Sequence, residues 1–447
     1  MAQADPSRPD SLTPAPSGVA PRGPSSAWLW VPSLYFVQGL PYVLVMNVSV
    51  ILYENLGLSV KDIAEYTSYL YLPWVIKPLW SPLVDVLGAK RRWILNTQLI
   101  MGLGLLGIAW AVSTDYFLYA TLAGFFLLAF SSATHDIAAD GFYMGALASH
   151  DQALFVGIRS TCYRLAMIAG SGLLVMLVGR LGKWDYEPAA AWRVGMVVTA
   201  TLLLVLALYH AVVLPRPPRD QAGVPNSMDR VLREMAETFV TFFAKRHLIV
   251  TLAFLLFYRF AEGQLVKIAA PFLLQDRSLG GLGLDNEQVG LAYGIVGVTL
   301  LLAGGILGGV VAAQAGLRRC LPWMMIAMNV PNAVYLALAY WQPTQIWLVH
   351  LAVGLEQFGY GFGFAGYMLY MLYVARGEHE TAHYAICTGF MALGMMLPGW
   401  LSGRAQEALG YTGFFTWIMI STIPSFLVAV VVYFQMDPQF GRRENKA

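Results

Sequence analysis

The chain of 447 residues is 57% hydrophobic, and charged side chains occupy only 12% of its positions. A soluble domain has charges at about a quarter of its positions, so this composition excludes an ordinary soluble protein. The net charge of +2 excludes a typical nucleic-acid-binding protein. Cys162, Cys320 and Cys387 form no CxxC pair, and they predict neither a disulfide framework nor a metal site. We expect no cofactor.

The apolar segments predict an all-α integral membrane protein. A spanning helix needs about 20 mostly apolar residues, and twelve segments meet this requirement. They are 28–53, 62–84, 93–113, 116–146, 153–179, 192–213, 247–274, 287–313, 320–340, 345–373, 382–404 and 412–435. The stretch 228–245 is instead amphipathic, which predicts a helix lying on the membrane surface.

This order predicts two six-helix bundles joined by a linker. We expect a disordered tail at 1–27, which is rich in Pro, Ser and Ala. The predicted domains are an N-terminal bundle at 28–213, a cytoplasmic linker at 214–246, a C-terminal bundle at 247–436 and a tail at 437–447. Internal duplication of this kind is typical of secondary transporters.

A short basic turn occurs once in each predicted bundle and supports the duplication. Aligning the two turns places Gly88 on Gly316 and Arg91 on Arg319. The residues expected to form a cytoplasmic gate here are Asp85, Gly88, Lys90, Arg91, Arg92, Gly316, Arg318 and Arg319. The second turn has Ala313 where the first has Asp85, so we expect any carboxylate latch to be stronger in the N-terminal copy. Ser59 and Asp285 are the expected N-caps of the second and eighth spans.

Basic residues in the short loops predict the orientation. Most of the lysines and arginines between the spans lie on the side of the termini, in the basic turns and in the linker. Because positive charge accumulates on the cytoplasmic side, both termini are expected in the cytoplasm.

Charged residues inside the spans are the candidates for coupling and binding, since such groups are costly in lipid. Asp136 and Asp140 share one face of the fourth span, and Arg159 and Arg164 lie on the fifth. They predict an acid–base cluster, which could be a static ion pair, a proton-coupling site or an anion site. Lys77 could snorkel, or it could pair with Asp85 or with one of these acids.

The second half carries its own charged residues. Arg259 and Glu262 are three apart and can pair within one helix. Glu262 or Glu356 could be the coupling acid, because a carboxyl group in a low-dielectric cavity can load and release a proton. Lys267 is expected near the outer surface, where it could simply snorkel.

A match to H-E-x-x-H at 379–383 is the one motif typical of an enzyme. Two histidines four apart on a helix can bind zinc, with Glu380 as the base. No third ligand lies nearby in the sequence. A solvated loop therefore remains the favoured interpretation, and a membrane metallohydrolase the alternative.

The motifs together resemble the AmpG-type permeases of the major facilitator superfamily, with which the acetyl-coenzyme A transporters share the wider family. The resemblance is carried by GLPYVL at 39–44, KPLWSPLVD at 77–85, SSATHDIAADGF at 131–142, YRLAMIAGSG at 163–172, GLGLDNEQVG at 281–290 and the stretch around Glu356. It implies the two-bundle fold, alternating access and import of an anhydro-muropeptide driven by protons. It assigns Asp136 and Asp140 as the helix 4 acids and Tyr163 with Arg164 as the helix 5 pair. The chain departs from the family pattern at His135 and at the added cation Lys267.

The expected function is proton-coupled import of a polar anionic solute, such as a muropeptide, by a monomer in a bacterial inner membrane. The candidates for the substrate cavity are Gln38, Tyr42, His135, Tyr163, Gln357, Tyr360 and Tyr367. Transport of an acyl-coenzyme A or a siderophore, and a non-transporting receptor of the same fold, are the remaining alternatives. The expected partners are the solute, protons and the lipid bilayer, with no nucleic acid.

Overall fold

The computed structural model describes residues 27–86, 89–147, 149–216, 228–376 and 380–436, and these are almost entirely helical. The first six helices run back and forth through residues 31–213. They are α1 (Val31–Asn55), α2 (Val60–Tyr69 and Leu72–Val86), α3 (Lys90–Ala111), α4 (Phe117–Ala146), α5 (Ser149–Met167, continued to Val175–Gly182) and α6 (Pro188–Val213).

A surface helix and six further helices follow. They are α7 (Met228–Phe243), α8 (Leu248–Leu274), α9 (Asn286–Ala315), α10 (Leu317–Trp341), α11 (Ile346–Ala375), α12 (380–409) and α13 (411–435). The last two are separated at Gly410, whose φ of 65° and ψ of 176° break the helix. The expected amphipathic helix at 228–245 is confirmed as α7. The predicted tail at 437–447, Gly88, and all but the last residue of the predicted N-terminal tail lie outside the described residues.

Length and composition support a membrane protein. Within the described residues, nine helices are long and apolar enough to cross a membrane, and one of these is the bent run Ala382–Gln435 that contains parts of both α12 and α13. Two other predicted spans are also helical, as the interrupted α2 and the long α11. The predicted all-α membrane fold is therefore confirmed.

The two sets of six helices repeat the same packing. In the first, α1 packs on α5, α2 on α4, and α3 on both α4 and α6. In the second, α8 packs on α12, α9 on α11, and α10 on both α11 and α13. Each neighbour pair has its counterpart, as a duplicated bundle requires.

The two predicted N-caps are confirmed. The Ser59 hydroxyl accepts a hydrogen bond from the backbone N–H of Asp62 at the start of α2. Asp285 accepts from the N–H of Gln288 at the start of α9, and the Gln288 side chain accepts in turn from the Asp285 N–H. This reciprocal arrangement satisfies N–H groups that the helix itself leaves without a partner.

The halves meet along two pairs of helices, α2 with α12 and α5 with α9. At the second contact two glycines face each other, because a Cβ on Gly294 would lie 2.2 Å from the Gly172 nitrogen. Small residues at this crossing allow the backbones to approach closely.

Several helices lose their regular geometry within their spans. Wide π-type turns occupy Leu44–Val48 in α1, Ile168–Leu174 in α5 and Gly290–Gly297 in α9. Helix α8 is interrupted at Tyr258 and Arg259. Irregular turns of this kind are common at functional sites, and these surround the cluster of polar residues described next.

Candidate functional site

Asp136 on α4 is the centre of the polar cluster in the N-terminal half. The Lys77 ammonium lies 3.6 Å from its Oδ2 atom, and the Trp74 indole N–H donates to the same oxygen over 3.4 Å. Both partners come from the second piece of α2. Of the alternatives that the sequence left open for Lys77, the structure shows the pairing with a helix 4 acid. The other oxygen, Oδ1, is buried without a hydrogen-bond partner.

Asp140 lies one turn further along α4 and forms a second ion pair. The Arg159 guanidinium on α5 donates to its Oδ1 over 2.8 Å, and the Tyr35 hydroxyl donates to the same atom over 3.0 Å. The guanidinium also lies 4.3 Å from the centre of the Tyr35 ring. The predicted acid–base contact between these two helices is therefore present, formed by Asp140 and Arg159. Asp136 instead pairs across to α2.

Aromatic side chains line the same region beside Asp136. Tyr42 on α1 makes an edge contact with Trp74, at 5.3 Å between ring centres, and lies 6.4 Å from Tyr163 on α5. The Gln38 side chain is 8% exposed, and its Oε1 atom is buried without a hydrogen-bond partner. Arg164 follows Tyr163 and reaches the other half of the molecule, where a Cβ on Gly305 of α9 would lie 4.0 Å from its Nη2 atom.

Arg259 is the buried cation of the C-terminal half and lies at the interruption of α8. It donates to the Tyr360 hydroxyl over 2.5 Å, and its guanidinium lies 5.1 Å from the ring centre of Phe364. Its Nε atom is buried without a partner. Among the described residues it forms no ion pair within 4 Å, so the direct Arg259–Glu262 ion pair that the spacing allows is not formed. The break in the helix turns Arg259 toward the aromatic rings of α11 instead.

Glu262 and Glu356 are buried carboxyl groups in the same half. They are 4% and 1% exposed, and they lie close enough to interact electrostatically. Glu356 accepts a hydrogen bond of 2.9 Å from Gln357, which also faces the Tyr293 hydroxyl at 3.4 Å. One oxygen on each glutamate is buried without a partner. A buried acceptor oxygen without a partner can be satisfied by a proton or by a hydrogen-bond donor of a bound solute.

Two of the predicted cavity residues lie in packed contacts between helices. His135 is fully buried and meets the Gln98 amide at 2.9 Å, and Gln98 in turn meets His210 on α6. The Tyr367 hydroxyl donates to the Leu255 carbonyl oxygen over 2.6 Å, and its ring stacks on Tyr258.

Lys267 departs from the sequence-based expectation. Snorkelling, which the sequence suggested for this residue, does not occur here, because the side chain is completely buried among helices. Its ammonium donates to the Thr67 hydroxyl on α2 over 3.0 Å and lies 5.1 Å from the centre of the Tyr71 ring. The contact joins α8 in one half to α2 in the other.

One end of the molecule is closed by ion pairs between the halves, and we call it the ion-paired end. Lys183, just after α5, contacts Asp285 at 3.1 Å and Glu287 at 2.6 Å at the start of α9. The equivalent contacts join α2 to α12. They are Arg404 with Glu65 at 2.5 Å and Lys61 with Glu407 at 3.4 Å. Asn286 also donates to Asn55 across the same boundary, over 2.6 Å.

The opposite end carries the two basic turns, and we call it the basic-turn end. Arg91 donates to the backbone carbonyl oxygens of Ala211 and Leu214 and so binds the last turn of α6. The Lys90 side chain packs over Gly141 of α4. Gly316 has a φ of 83°, which favours glycine at this turn. The Asp85 side chain and Gly88 are outside the described part of the chain, so the latch stays a prediction.

The remaining cations of the turns have different surroundings. Arg318 stacks over the Tyr433 ring, with 4.9 Å between the guanidinium carbon and the ring centre. Arg92 and Arg319 are exposed.

The solvated loop expected for the H-E-x-x-H match is wrong, because the described part of the match begins helix α12 and includes a buried histidine. His383 is 3% exposed and packs against α7, where its Nε2 atom lies 3.1 Å from the Thr241 hydroxyl and 3.2 Å from the Thr238 carbonyl oxygen. Glu380 is exposed at the start of α12, and His379 is not among the described residues. Across the part of the chain that is described, no three His, Cys, Asp or Glu side chains form a group able to hold a metal ion.

The site therefore offers positive charge, aromatic faces and buried carboxyl groups between two halves that close at one end. Cations and aromatic rings suit an anionic solute with apolar surface. Sequence reasoning missed Trp74, Tyr71, Tyr293 and Ser68. A tryptophan or tyrosine inside an apolar span is common in packing, so only the fold shows that these residues face charged groups.

Comparison with known proteins is consistent with this geometry. A family model described as Major Facilitator Superfamily matches residues 33–280. The anhydromuropeptide permease of Escherichia coli (strain K12) is 24% identical over 416 residues, which are 91% of this chain and 79% of the permease. A putative transporter AmpG 4 of Rickettsia conorii is 22% identical over 412 residues, covering 88% of this chain and 94% of its own.

Solved structures share the fold at low sequence identity. A D-xylose–proton symporter matches with a TM-score of 0.69 and 12% identity, over 94% of this chain and 99% of the symporter. A bacterial homologue of the human lysosomal transporter Spinster, in an inward-facing and occupied conformation, matches with a TM-score of 0.68 and 15% identity. That likeness covers 92% of this chain and 95% of the homologue.

Proposed function

Because the chain belongs to the major facilitator superfamily and is a transporter, we propose that it imports an anionic anhydro-muropeptide together with protons. The resemblance to the AmpG-type permeases expected from the sequence is confirmed. The relatives are permeases and transporters, so the chain is not an enzyme and the metallohydrolase alternative is dropped.

The arrangement of charges at the centre supports the anionic solute. Lys77, Arg164 and Arg259 come from three helices in both halves, and only Lys77 has an ion-pair partner within 4 Å among the described residues. An unpaired guanidinium surrounded by tyrosines can bind a carboxylate in a bidentate manner while the rings contact a sugar face. The sequence relationship to an anhydromuropeptide permease supports the muropeptide class.

The buried carboxyl groups support the coupling to protons. Glu262, Glu356 and Asp136 each have an oxygen atom without a partner and lie where a solute would bind. A group that is neutral in one state and charged in another can link solute release to proton release. We place this role on Glu262 and Glu356, because Asp136 already has Lys77 as a counter-ion.

The proposed orientation follows from the distribution of basic residues. The basic-turn end faces the cytoplasm, as do both termini, and the ion-paired end faces the periplasm of a bacterial inner membrane. The described conformation is then closed to the periplasm by the ion pairs between the halves. The proposed unit is a monomer whose N-terminal bundle, at 28–213, rocks against the C-terminal bundle, at 247–436.

Uptake into proteoliposomes tests the proposal. Vesicles with an acidic exterior should accumulate a radiolabelled anhydro-muropeptide above its external concentration, and a protonophore should abolish the accumulation. Acetyl-coenzyme A and a ferric siderophore serve as competing solutes. Accumulation of one of these, with no uptake of the muropeptide by folded protein, would overturn the substrate assignment.

A further inference from the structure

Lys267 is a buried cation that the proposed coupling mechanism does not use. It lies on α8, five positions after Glu262, which is about 7.5 Å along a helix in the direction of the ion-paired end. Its side chain is fully buried. Its contact with Thr67 joins the two halves of the molecule, so this bond must change whenever the halves move apart.

The surroundings of Lys267 leave its charge poorly compensated. An ammonium group has three N–H donors, and here the oxygen partner is the Thr67 hydroxyl, supplemented by the face of Tyr71. None of the ion pairs formed by the described residues includes Lys267. Burying a charge without a counter-ion is costly, and an anion brought to this point would lower that cost.

A second polar group lies close to the Lys267 side chain. The Ser68 hydroxyl is fully buried and has no hydrogen-bond partner. A Cβ on Gly399 of α12 would lie 2.8 Å from this hydroxyl oxygen and 3.3 Å from Cγ of Lys267. Ser68, Gly399 and Lys267 therefore meet where α2, α12 and α8 come together, between the central cluster and the ion-paired end.

We propose that Lys267 is an anion-binding residue that receives a carboxylate of the solute when the ion-paired end opens. Opening separates α2 from α8 and removes Thr67 from the ammonium, and the carboxylate of the arriving solute takes its place. Closure returns Lys267 to Thr67 and releases the carboxylate toward Arg164 and Arg259. This inference rests on the proposed function, which sets the direction in which the solute enters. It adds Lys267, on the path of entry, as a residue that selects for a carboxylate.

The first test compares a free acid with its neutral ester. In proteoliposomes, the wild-type protein should take up an anhydro-muropeptide with a KM at least about tenfold lower than that of its methyl ester, because a charge-assisted hydrogen bond is lost in the ester. Lys267→Met should raise the KM of the acid severalfold and leave that of the ester unchanged, with Arg164 and Arg259 supplying the preference that remains, and Lys267→Arg should have a smaller effect. Lys245→Met, the same change at a lysine between α7 and α8, should retain the full preference for the acid over the ester. Equal effects of Lys267→Met on acid and ester would show a purely structural role and overturn the proposal.

The second test does not depend on muropeptide transport. Ser68→Cys, in a protein whose three native cysteines are replaced by serine, is labelled with an impermeant cationic thiol reagent added to the periplasmic side of spheroplasts. N-acetylmuramate should slow labelling severalfold, neutral N-acetylglucosamine should not, and Lys267→Met should abolish the protection. No labelling, or equal protection with and without Lys267, would overturn the proposal. If wild-type vesicles take up neither acid nor ester while N-acetylmuramate still protects, the proposed substrate is wrong and the anion site stands.

Discussion

Two carboxyl groups, Glu262 and Glu356, differ from the other acidic residues of the site in having no cation within 4 Å among the described residues. Asp136 and Asp140 each have one, at 3.6 and 2.8 Å. A carboxylate without a counter-ion in a buried site is strongly disfavoured, whereas a neutral carboxyl group costs much less. The physical expectation is that at least one proton resides on this pair when the site is closed to water.

Glu356→Gln tests this expectation directly. Glutamine has nearly the same shape and can still bind Gln357, but it cannot take up a proton. Uptake driven by a pH gradient should fall by roughly tenfold or more, while exchange of labelled for unlabelled solute at equal pH should persist. Both are measured in the same proteoliposomes, and Glu262→Gln is the parallel variant.

The matched control is Glu380→Gln, which makes the same change at an exposed glutamate at the start of α12. It should leave both driven uptake and exchange at wild-type values. Loss of exchange together with driven uptake in Glu356→Gln would assign the residue to solute binding, and unchanged driven uptake in both site variants would remove the pair from the coupling mechanism.

At the scale of single residues, sequence reasoning identified charged groups but not their partners. Lys77 pairs with Asp136, one of the partners that the sequence left open. Arg259 and Glu262 form no direct ion pair, although their spacing suits an intrahelical pair, because the helix is interrupted at Arg259. The position of Lys267 along its span allows snorkelling, but position along a helix does not reveal that another helix covers the side chain.

At the scale of helices, the crossing of α5 and α9 sets how closely the two halves approach. The facing glycines, Gly172 and Gly294, lie in the wide turns of both helices. A regular helix carrying side chains at these positions could not bring the backbones so near. The apolar runs predicted that these helices exist, but hydrophobic periodicity contains no signal for a wide turn.

Gly294→Ala should therefore disturb the contact between the halves. The added methyl group would lie 2.2 Å from the Gly172 nitrogen, so α5 and α9 must separate. We expect a loss of about 1–3 kcal/mol in the free energy of unfolding, typical of overpacking, and reduced uptake. Thermal unfolding in detergent and initial uptake rates measure the two effects.

Gly309→Ala is the control on the same helix, because nothing lies within 4 Å of the Cβ that would be added there. It should retain uptake and unfold at or slightly above the wild-type temperature, since alanine favours a helix over glycine. Equal behaviour of the two variants would contradict a close crossing at Gly294.

At the scale of the whole molecule, the two ends are unlike each other. The ion-paired end has cations of one half facing carboxylates of the other, while at the basic-turn end Arg91 binds α6 and Arg318 stacks on Tyr433, each within its own half. Charge pairs between moving bodies stabilise the state in which they touch. The duplication and the overall fold could be predicted from repeated apolar runs and turns. The closed end could not, because its partners are distant in sequence.

The ion pairs of Lys183 stabilise the ion-paired end across the physiological pH range. Hydrogen bonds to Glu287 and then Asp285 raise the pKa of Lys183 above its ordinary value of 10.5. Because the pKa of Lys183 is raised in the folded state, the stability that its ion pairs contribute is fully present below the ordinary pKa. That stability is lost only as the pH rises through the pKa of the folded state. A proton gradient near neutral pH therefore leaves the charge on this lysine unchanged.

Lys183→Glu should open the ion-paired end, because it replaces attraction to Asp285 and Glu287 by repulsion. Spin labels at the exposed positions Tyr186 and Leu279 should report a population with a longer separation in this variant. The control is Arg180→Glu, which makes the same reversal of charge at an exposed arginine of α5. Arg180 takes part in none of the ion pairs formed by the described residues, so this variant should leave the distance distribution unchanged. Adding Glu287→Lys to Lys183→Glu should restore the short distance, since the pair is re-formed with its charges exchanged. A short distance in Lys183→Glu alone would mean that helix packing, not the ion pairs, holds this end closed.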